Sequence, residues 1–523
     1  MPGKGPSSDT ARETKPAPWA PLLAVVALGA LATTPRVESH VVLSRSVLAT
    51  CIGLLLWHGA LFVRSRRGGP TLRLESAFRP QHYVQALVQL AVFAYWGWYW
   101  RPVYDMAVLI GAQLIFAYAF GMLLSWTRGR RYVLGFGPFP IVFSINLFLW
   151  FRDDWFYLQF LMIAVGLLGK EFVRWHRDGR QVHIFNPSAF SLGLFSLVLI
   201  ATGTTDLTWG ADIASTLTLA PNIYLFLFGV GLVVMYFFSI TLLAGAAATV
   251  LFVLSALYYT WSGVPYFVDS EIPAAVFLGL HLLITDPSTS PRSTTGKVVF
   301  GGLYGTGVFA LYAILGAAGA PTFYDKLLCV PLLNLAVRGI DHAVTKFGER
   351  RVQSVARGPV HPTRLNLAHM AGWIVFFGVM TATGRTDGRH EGDRIPFWEQ
   401  ACSEDRRTSC DRLIAIEANY CADNSAWACN ELGLHHAEGR IVGIDPQLAS
   451  GYFSSACELR FQVACLNLLD PENRQRAEPR ELDLRLLLRE GGLNLMQMEE
   501  SVLYARACEH GWDFACPSTD RAS

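Results

Sequence analysis

Long, nearly uninterrupted apolar windows fill the first three-quarters of the chain, and short amphipathic stretches follow them. Windows of roughly 17 to 25 apolar residues are long enough to cross a bilayer as helix. They recur near 18–33, 42–63, 83–99, 105–126, 133–150, 155–169, 184–202, 222–239, 240–260, 272–285, 298–319, 323–338 and 366–383. The pattern predicts an all-α polytopic membrane bundle of about thirteen spans. Lys4, Arg12 and Lys15 precede the first window as they would a secretory signal. With so many spans behind it, that window reads as a retained anchor.

Two polar stretches interrupt this pattern, Gly179 to Phe190 and Leu283 to Ser293. Polar, Pro-bearing backbone beside a bilayer is costly unless it lines a cavity or holds a ligand. The windows between 83 and 345 divide into two halves of five, and an odd number of crossings makes successive halves inverted. The third window of the first half carries Gly135, Gly137, Pro138 and Pro140, and its counterpart in the second half is cut short by Thr285-Asp286-Pro287. Broken spans at matched positions point to a binding site at the interface of inverted repeats.

Charge divides the chain near residue 384. Residues 1–384 hold 28 Lys and Arg against 17 Asp and Glu, and 385–523 hold 15 against 24. Four segments follow: a tail with two extra spans (1–82), a ten-span membrane domain (83–345), a loop with a last span (346–384), and a soluble acidic domain (385–523). Lys and Arg gather in alternate loops, among them Arg64 to Arg79, Arg128 to Arg131, Lys170 to Arg180 and Lys346 to Arg364. The positive-inside rule then puts the N-terminus in the cytoplasm and the C-terminal domain outside. No Walker A loop, dinucleotide-binding turn or hydrolase elbow is present, which argues against ATP-driven transport and soluble-enzyme catalysis. No nucleic-acid partner is expected.

Eight of the ten cysteines form pairs eight apart: Cys402 with Cys410, Cys421 with Cys429, Cys457 with Cys465 and Cys508 with Cys516. On one continuous helix that spacing is about 12 Å of rise, too far for a disulfide. Each pair therefore predicts two helices joined by a short turn. Zinc ligation fits the spacing poorly, and four disulfides require an oxidising compartment. From Cys421 to Cys457 is 36 residues, a period proper to helix-pair solenoids. With Cys429-Asn430-Glu431-Leu432-Gly433, residues 400–518 resemble the Sel1-like repeats of cysteine-rich secreted bacterial proteins, although 470–506 is irregular.

In the membrane part, His183-Ile184-Phe185-Asn186-Pro187-Ser188-Ala189, Thr285-Asp286-Pro287-Ser288-Thr289-Ser290-Pro291, Gly296-Lys297-Val298-Val299-Phe300-Gly301 and Asn334 with Asp341 resemble the NqrB/RnfD family. These are membrane subunits of the sodium-translocating NADH:quinone reductase and of Rnf electron-transport complexes. The resemblance covers roughly 83–345. It implies a flavin-carrying, multi-pass subunit of the bacterial inner membrane that relays electrons between partner subunits. Family members that bind FMN covalently use a Thr in a Ser-Gly-Ala-Thr motif, which this chain lacks. Its corresponding loop, Trp209 to Thr218, offers Thr216 or Thr218 instead, and a noncovalent flavin (FMN or riboflavin) is the expectation. The extra spans and the repeat domain lie outside the respiratory pattern, as in family members associated with enediyne biosynthesis, and suggest a specialised oxidation.

Several residues carry a structural and a functional reading side by side. Asn186 before Pro187 could cap a helix or donate to a flavin; His183 stands in the same motif. Asp286, with Thr285, could stabilise the Pro287 turn or bind a flavin, a ribityl group or a cation. Arg292 and Lys297 could neutralise a phosphate or merely obey the charge rule. His281 is an intramembrane ionisable group, and His58 and His369 make a bis-His haem conceivable without any attachment motif. The aromatic belt Tyr95, Trp96, Trp98, Tyr99 and Trp100 is explained by an interface. The expected function is membrane electron transfer with the bilayer and redox subunits as partners. The alternatives are a non-redox transporter or channel on the same scaffold, or a membrane-anchored module that binds proteins through the repeat domain.

Overall fold

The computed structural model describes residues 15–177, 179–268, 270–284, 286–347, 362–386, 390–488 and 499–517. The described residues are 72% helical. It separates into two units: 1–217, 224–251 and 274–377 form unit 1, and 218–223, 252–273 and 378–523 form unit 2.

Leaving single turns unnumbered, the helices begin with α1 (Ala20–Leu31), α2 (Val41–Arg66), α3 (Pro80–Tyr99), α4 (Ala107–Thr127), α5 (Pro138–Asn146), α6 (Tyr157–Phe172) and α7 (Pro187–Thr202). Then come α8 (Gly210–Thr216), α9 (Ile223–Phe238), α10 (Thr241–Ser262), α11 (Ala274–Leu282), α12 (Thr294–Ala317), α13 (Asp325–Phe347) and α14 (Pro362–Ala382). Among the described residues, six stretches are long and apolar enough to cross a membrane: Val41–Arg66, Pro102–Thr127, Thr241–Ser262, Thr294–Ala317, Thr322–Lys346 and Arg364–Ala382. A seventh arises if Gly210–Leu219 and Ile223–Phe238, bent by 101° at their junction, count as one span. Large apolar side chains such as Leu56, Leu225, Ile314 and Val375 stay exposed on these helices, as lipid-facing residues do.

Of the other predicted spans, α3 is 20 residues long but not apolar enough to count with these, and the rest form helices of 9 to 16 residues. α5 and α11, the two elements predicted to be broken, are 9 residues each. Pro138 starts α5, and the chain leaves helical geometry after Asn146. Both helices are buried along most of their length.

The helical class holds, and among the described residues five short strands accompany the helices. β1 (Lys15–Pro16), β2 (Arg73–Ser76) and β3 (Arg131–Leu134) form one sheet, in which β2 and β3 run parallel with Ser76 opposite Leu134. β4 (Arg174–Arg177) and β5 (Arg180–His183) form a hairpin with Arg174 opposite His183. β2, β4 and β5 lie where the hydropathy pattern implied only a charged loop, and four-residue strands are too short to leave a clear periodic signal.

Unit 2 contains α15 (Ile395–Ser403), α16 (Ser409–Ala422), α17 (Ala426–Glu438), α18 (Pro446–Glu458), α19 (Gln462–Leu469), α20 (Glu481–Leu487) and α21 (Glu500–Glu509). Its core is built from Trp398, Leu413, Tyr420, Trp427, Phe453, Phe461, Leu484 and Leu503. All four predicted pairs are disulfides. Cys402 is joined to Cys410 with a Cα–Cα distance of 4.7 Å, and Cys421 to Cys429 also at 4.7 Å. Cys457 is joined to Cys465 at 4.8 Å, and Cys508 to Cys516 at 4.7 Å. Three join consecutive helices, as the spacing required: Cys402 ends α15 and Cys410 opens α16, and the next two bonds link α16 to α17 and α18 to α19. The expectation of two helices per pair is corrected at the fourth bond. There Cys508 lies in α21, but the chain up to Cys516 is a 3-10 turn, Asp513–Ala515, rather than a helix. Cys51 and Cys329 are buried free thiols in unit 1.

Candidate functional site

The two polar interruptions meet. The β4–β5 hairpin ends at His183, three residues before the cap of α7. His183 Nε2 lies 2.9 Å from Ser288 Oγ and 3.2 Å from Asp286 Oδ2. Ser288 Oγ gives its only proton to Asp286 Oδ1 at 2.5 Å. The imidazole must therefore donate from Nε2, shared between the hydroxyl and the carboxylate. The Ser288 backbone N–H adds a bond to Asp286 Oδ1 at 2.9 Å. Burial by itself would raise the Asp286 carboxyl, but these His183 and Ser288 bonds outweigh it and hold the group down to about 2.

Asn186 is the N-cap of α7, with Pro187 at the first helical position. Its Oδ1 accepts from Ser188 N at 3.1 Å, Ser188 Oγ at 2.7 Å and Ala189 N at 3.4 Å. Its Nδ2 donates to Leu283 O at 3.0 Å, a carbonyl just past the end of α11. Its backbone N–H donates to Asn334 Oδ1 at 3.0 Å, and Asn334 Nδ2 donates to Thr289 O at 3.1 Å. Arg177, little regarded in the sequence except as a topogenic charge, is buried here. It donates to Ser290 O at 3.1 Å and pairs with Asp341 Oδ2 at 2.6 Å. The described residues of 177–189, 283–290 and 334–341 thus form one cross-braced knot in unit 1.

The remaining predicted residues behave differently. Thr285 lies outside the described residues. Arg292 is exposed in the loop before α12. Lys297 reaches Ser239 O at 2.8 Å rather than joining the knot. Thr216 Oγ1 donates to Asp212 O at 2.6 Å within α8, so its hydroxyl serves its own helix and not the knot. His58 Nε2 contacts Pro18 O at 2.9 Å, and His281 Nδ1 contacts Phe277 O at 2.7 Å. No group of three or more His, Cys, Asp or Glu suited to a metal occurs among the described residues.

A cavity of about 440 Å³ adjoins the first broken helix, lined by Ser76, Ala77, Phe78, Tyr118, Leu134, Gly135 and Phe136. The parallel β2–β3 pair forms part of its wall. Phe78 and Phe136 meet edge to face at 5.6 Å, and Tyr118 Oη donates to Gly135 O at 2.8 Å. His82 stands beside Gly137, within 3.7 Å of where a Cβ there would be. Burial chiefly disfavours its charged form, Lys170 and Arg79 oppose it further, and Asp286 favours it. Arg79, Lys170 and Asp286 are thus near enough to act on His82 electrostatically.

A second polar set lies deeper. Asn146, at the end of α5, exchanges bonds with Gln113 at 2.6 and 3.2 Å, and Gln89 donates to Ser144 Oγ at 2.7 Å. Gln159 Oε1 accepts from Phe151 N at 3.1 Å where α5 has unwound. Gln89, Gln113, Asn146 and Gln159 are fully buried. Comparison with protein-family models, with curated proteins and with solved structures returned no match in any of the three.

Proposed function

We propose that this is a membrane electron-transfer subunit of the NqrB/RnfD type, and that a noncovalent flavin binds in unit 1 near the start of α5. The observation that carries the reading is the convergence of the two signature segments at His183, Asp286 and Ser288. It gains weight from the aromatic-walled cavity, in the volume range of small-ligand sites, with His82 and basic charges nearby. Phe78, Tyr118 and Phe136 would hold a planar ring, and Arg79 or Lys170 would offset a phosphate. A bound flavin supplies one- and two-electron redox chemistry. The knot's own residues commit their polar groups to each other, so their role is to fix the ends of α7 and α11 rather than to touch the ring. The back-bonded Thr216 gives no support to a covalent link.

In this reading the N-terminus is cytoplasmic, residues 385–523 lie outside as a Sel1-like repeat domain, and soluble partners deliver electrons from the cytoplasm. The full complement of about thirteen crossings belongs to the same proposal. A second reading, a transporter or channel, is favoured by the buried Gln113–Asn146–Gln159 set beside an unwound helix end.

Gentle extraction and purification decide between them. Yellow, fluorescent protein that releases flavin on denaturation is the expected result, and Phe136→Ala should lower flavin occupancy several-fold. Colourless protein that takes up neither FMN nor riboflavin would reject the redox reading.

A further inference from the structure

The stretch 470–480, irregular against the repeat, has a definite place in unit 2. After a turn at 471–473 it runs without helix or strand to α20, and its main chain is held by side chains of the helices. Asn467, buried in α19, makes a two-way pair with the peptide of Gln475: Gln475 N donates to its Oδ1 at 2.7 Å and its Nδ2 donates to Gln475 O at 2.8 Å. Two residues on, Trp427 Nε1 donates to Ala477 O at 2.9 Å. Side chains are read as well. Arg476 donates to Glu431 Oε2 at 2.9 Å and lies 3.8 Å from Glu438. Arg474 stands over the Phe453 ring at 5.7 Å.

Contacts of this kind suit a bound peptide. An amide side chain that pairs with both main-chain groups of one residue sets register without regard to sequence, and pockets for alternate side chains supply selectivity. Of the acids beneath the segment, Glu438 also pairs with Arg440 at 3.0 Å, and the other two lie deeper in the unit. Glu417 and Glu431 are buried, and Glu417 Oε1 and Glu431 Oε1 have no hydrogen-bond partner among the described residues. His435 Nε2 is 3.2 Å from Glu417 Oε2, and Arg476 remains 47% exposed. Helix-pair repeats commonly offer such surfaces to extended ligands.

We propose that the face formed by α16, α17 and α19 is a binding groove for an extended, arginine-bearing segment of another protein, and that residues 474–480 occupy it in cis. A tethered occupant acts at an effective concentration on the order of millimolar. The intact groove therefore binds a free peptide weakly, and loosening the tethered segment exposes it.

The test uses the full-length protein in detergent and a fluorescent peptide with the sequence of residues 472–480, followed by anisotropy. Arg474→Ala with Arg476→Ala should bind the peptide at least about tenfold more tightly than the unaltered protein. Asn467→Ala added to that pair should reverse the gain, and a scrambled peptide of the same composition should bind at least about tenfold more weakly. Equal binding by the unaltered and doubly substituted proteins, or by the two peptides, would overturn the proposal. Should the double substitution unfold unit 2 by circular dichroism, hydrogen exchange on the unaltered protein decides. Excess peptide should speed exchange at the Gln475 amide, and an unchanged rate rejects the groove.

Discussion

Asn186 commits both ends of its amide and its backbone N–H to the chain itself, bonding α7, the end of α11 and Asn334. Its sequence context, Asn before Pro, suits a cap and a ligand equally, because both uses call for the same donors and acceptors. Only the placement of Leu283 O and Asn334 separates them. Asp286 was legible as a residue of interest, yet its partner His183 is about a hundred residues away and no local pattern joins the two. Arg177 was hidden because a basic residue in a loop beside a membrane is already accounted for by topology. In unit 2, burial lifts the Glu431 carboxyl from 4.5 to about 7, with Arg476 opposing the shift and Glu417 adding to it. A raised folded-state value makes its contribution full below about pH 4.5, and the contribution is lost as pH rises through about 7. Glu431→Gln should flatten that part of the stability profile, recovering on the order of 3 kcal/mol at pH 8. Thermal melts of unit 2 across this range check the prediction, and parallel profiles for the two proteins would count against it.

Among elements, close approach of backbones decides what periodicity leaves open. Gly301 and Gly305 are four apart on α12, and both face carbonyls of α10. A Cβ on Gly301 would meet Leu243 O, and one on Gly305 would lie 2.7 Å from Ala247 O. Small residues at this spacing let membrane helices pack backbone to backbone. Gly301→Leu should therefore cost about 1–3 kcal/mol through overpacking, read as a lower melting temperature in detergent; Gly302→Leu, whose nearest neighbour would be Val250 at 3.8 Å, should cost much less. Gly433 plays the matching part in unit 2, where a Cβ would fall 2.6 Å from the Phe453 ring. The Leu432-Gly433 step was visible in sequence, and its cause is the ring of α18 lying across α17. The β4–β5 hairpin and the parallel β2–β3 pair were not visible, since each strand is only four residues long and strongly charged or mixed.

For the whole molecule, the two units rest on different means of stabilisation. Unit 1 leaves apolar helix faces exposed and forms polar knots where its helices break, whereas unit 2 closes small helix pairs with disulfides. Each closed loop is short, and Cys457→Ala with Cys465→Ala should remove about 2.5 kcal/mol by the loop-entropy relation. Chemical denaturation monitored by tryptophan fluorescence should show one transition moved and the other unchanged; movement of both would contradict separate stabilisation. Apolar run length, charge asymmetry and cysteine spacing, which are local or additive properties of the chain, were enough to determine helical class, membrane character and the four disulfide pairs. Tertiary structure decided which helices reach full spanning length, how the interruptions at 179–190 and 283–293 knit together, and where the irregular 470–480 segment rests. Those outcomes depend on contacts between residues tens to more than a hundred positions apart, whose free energies appear only when the chain is packed.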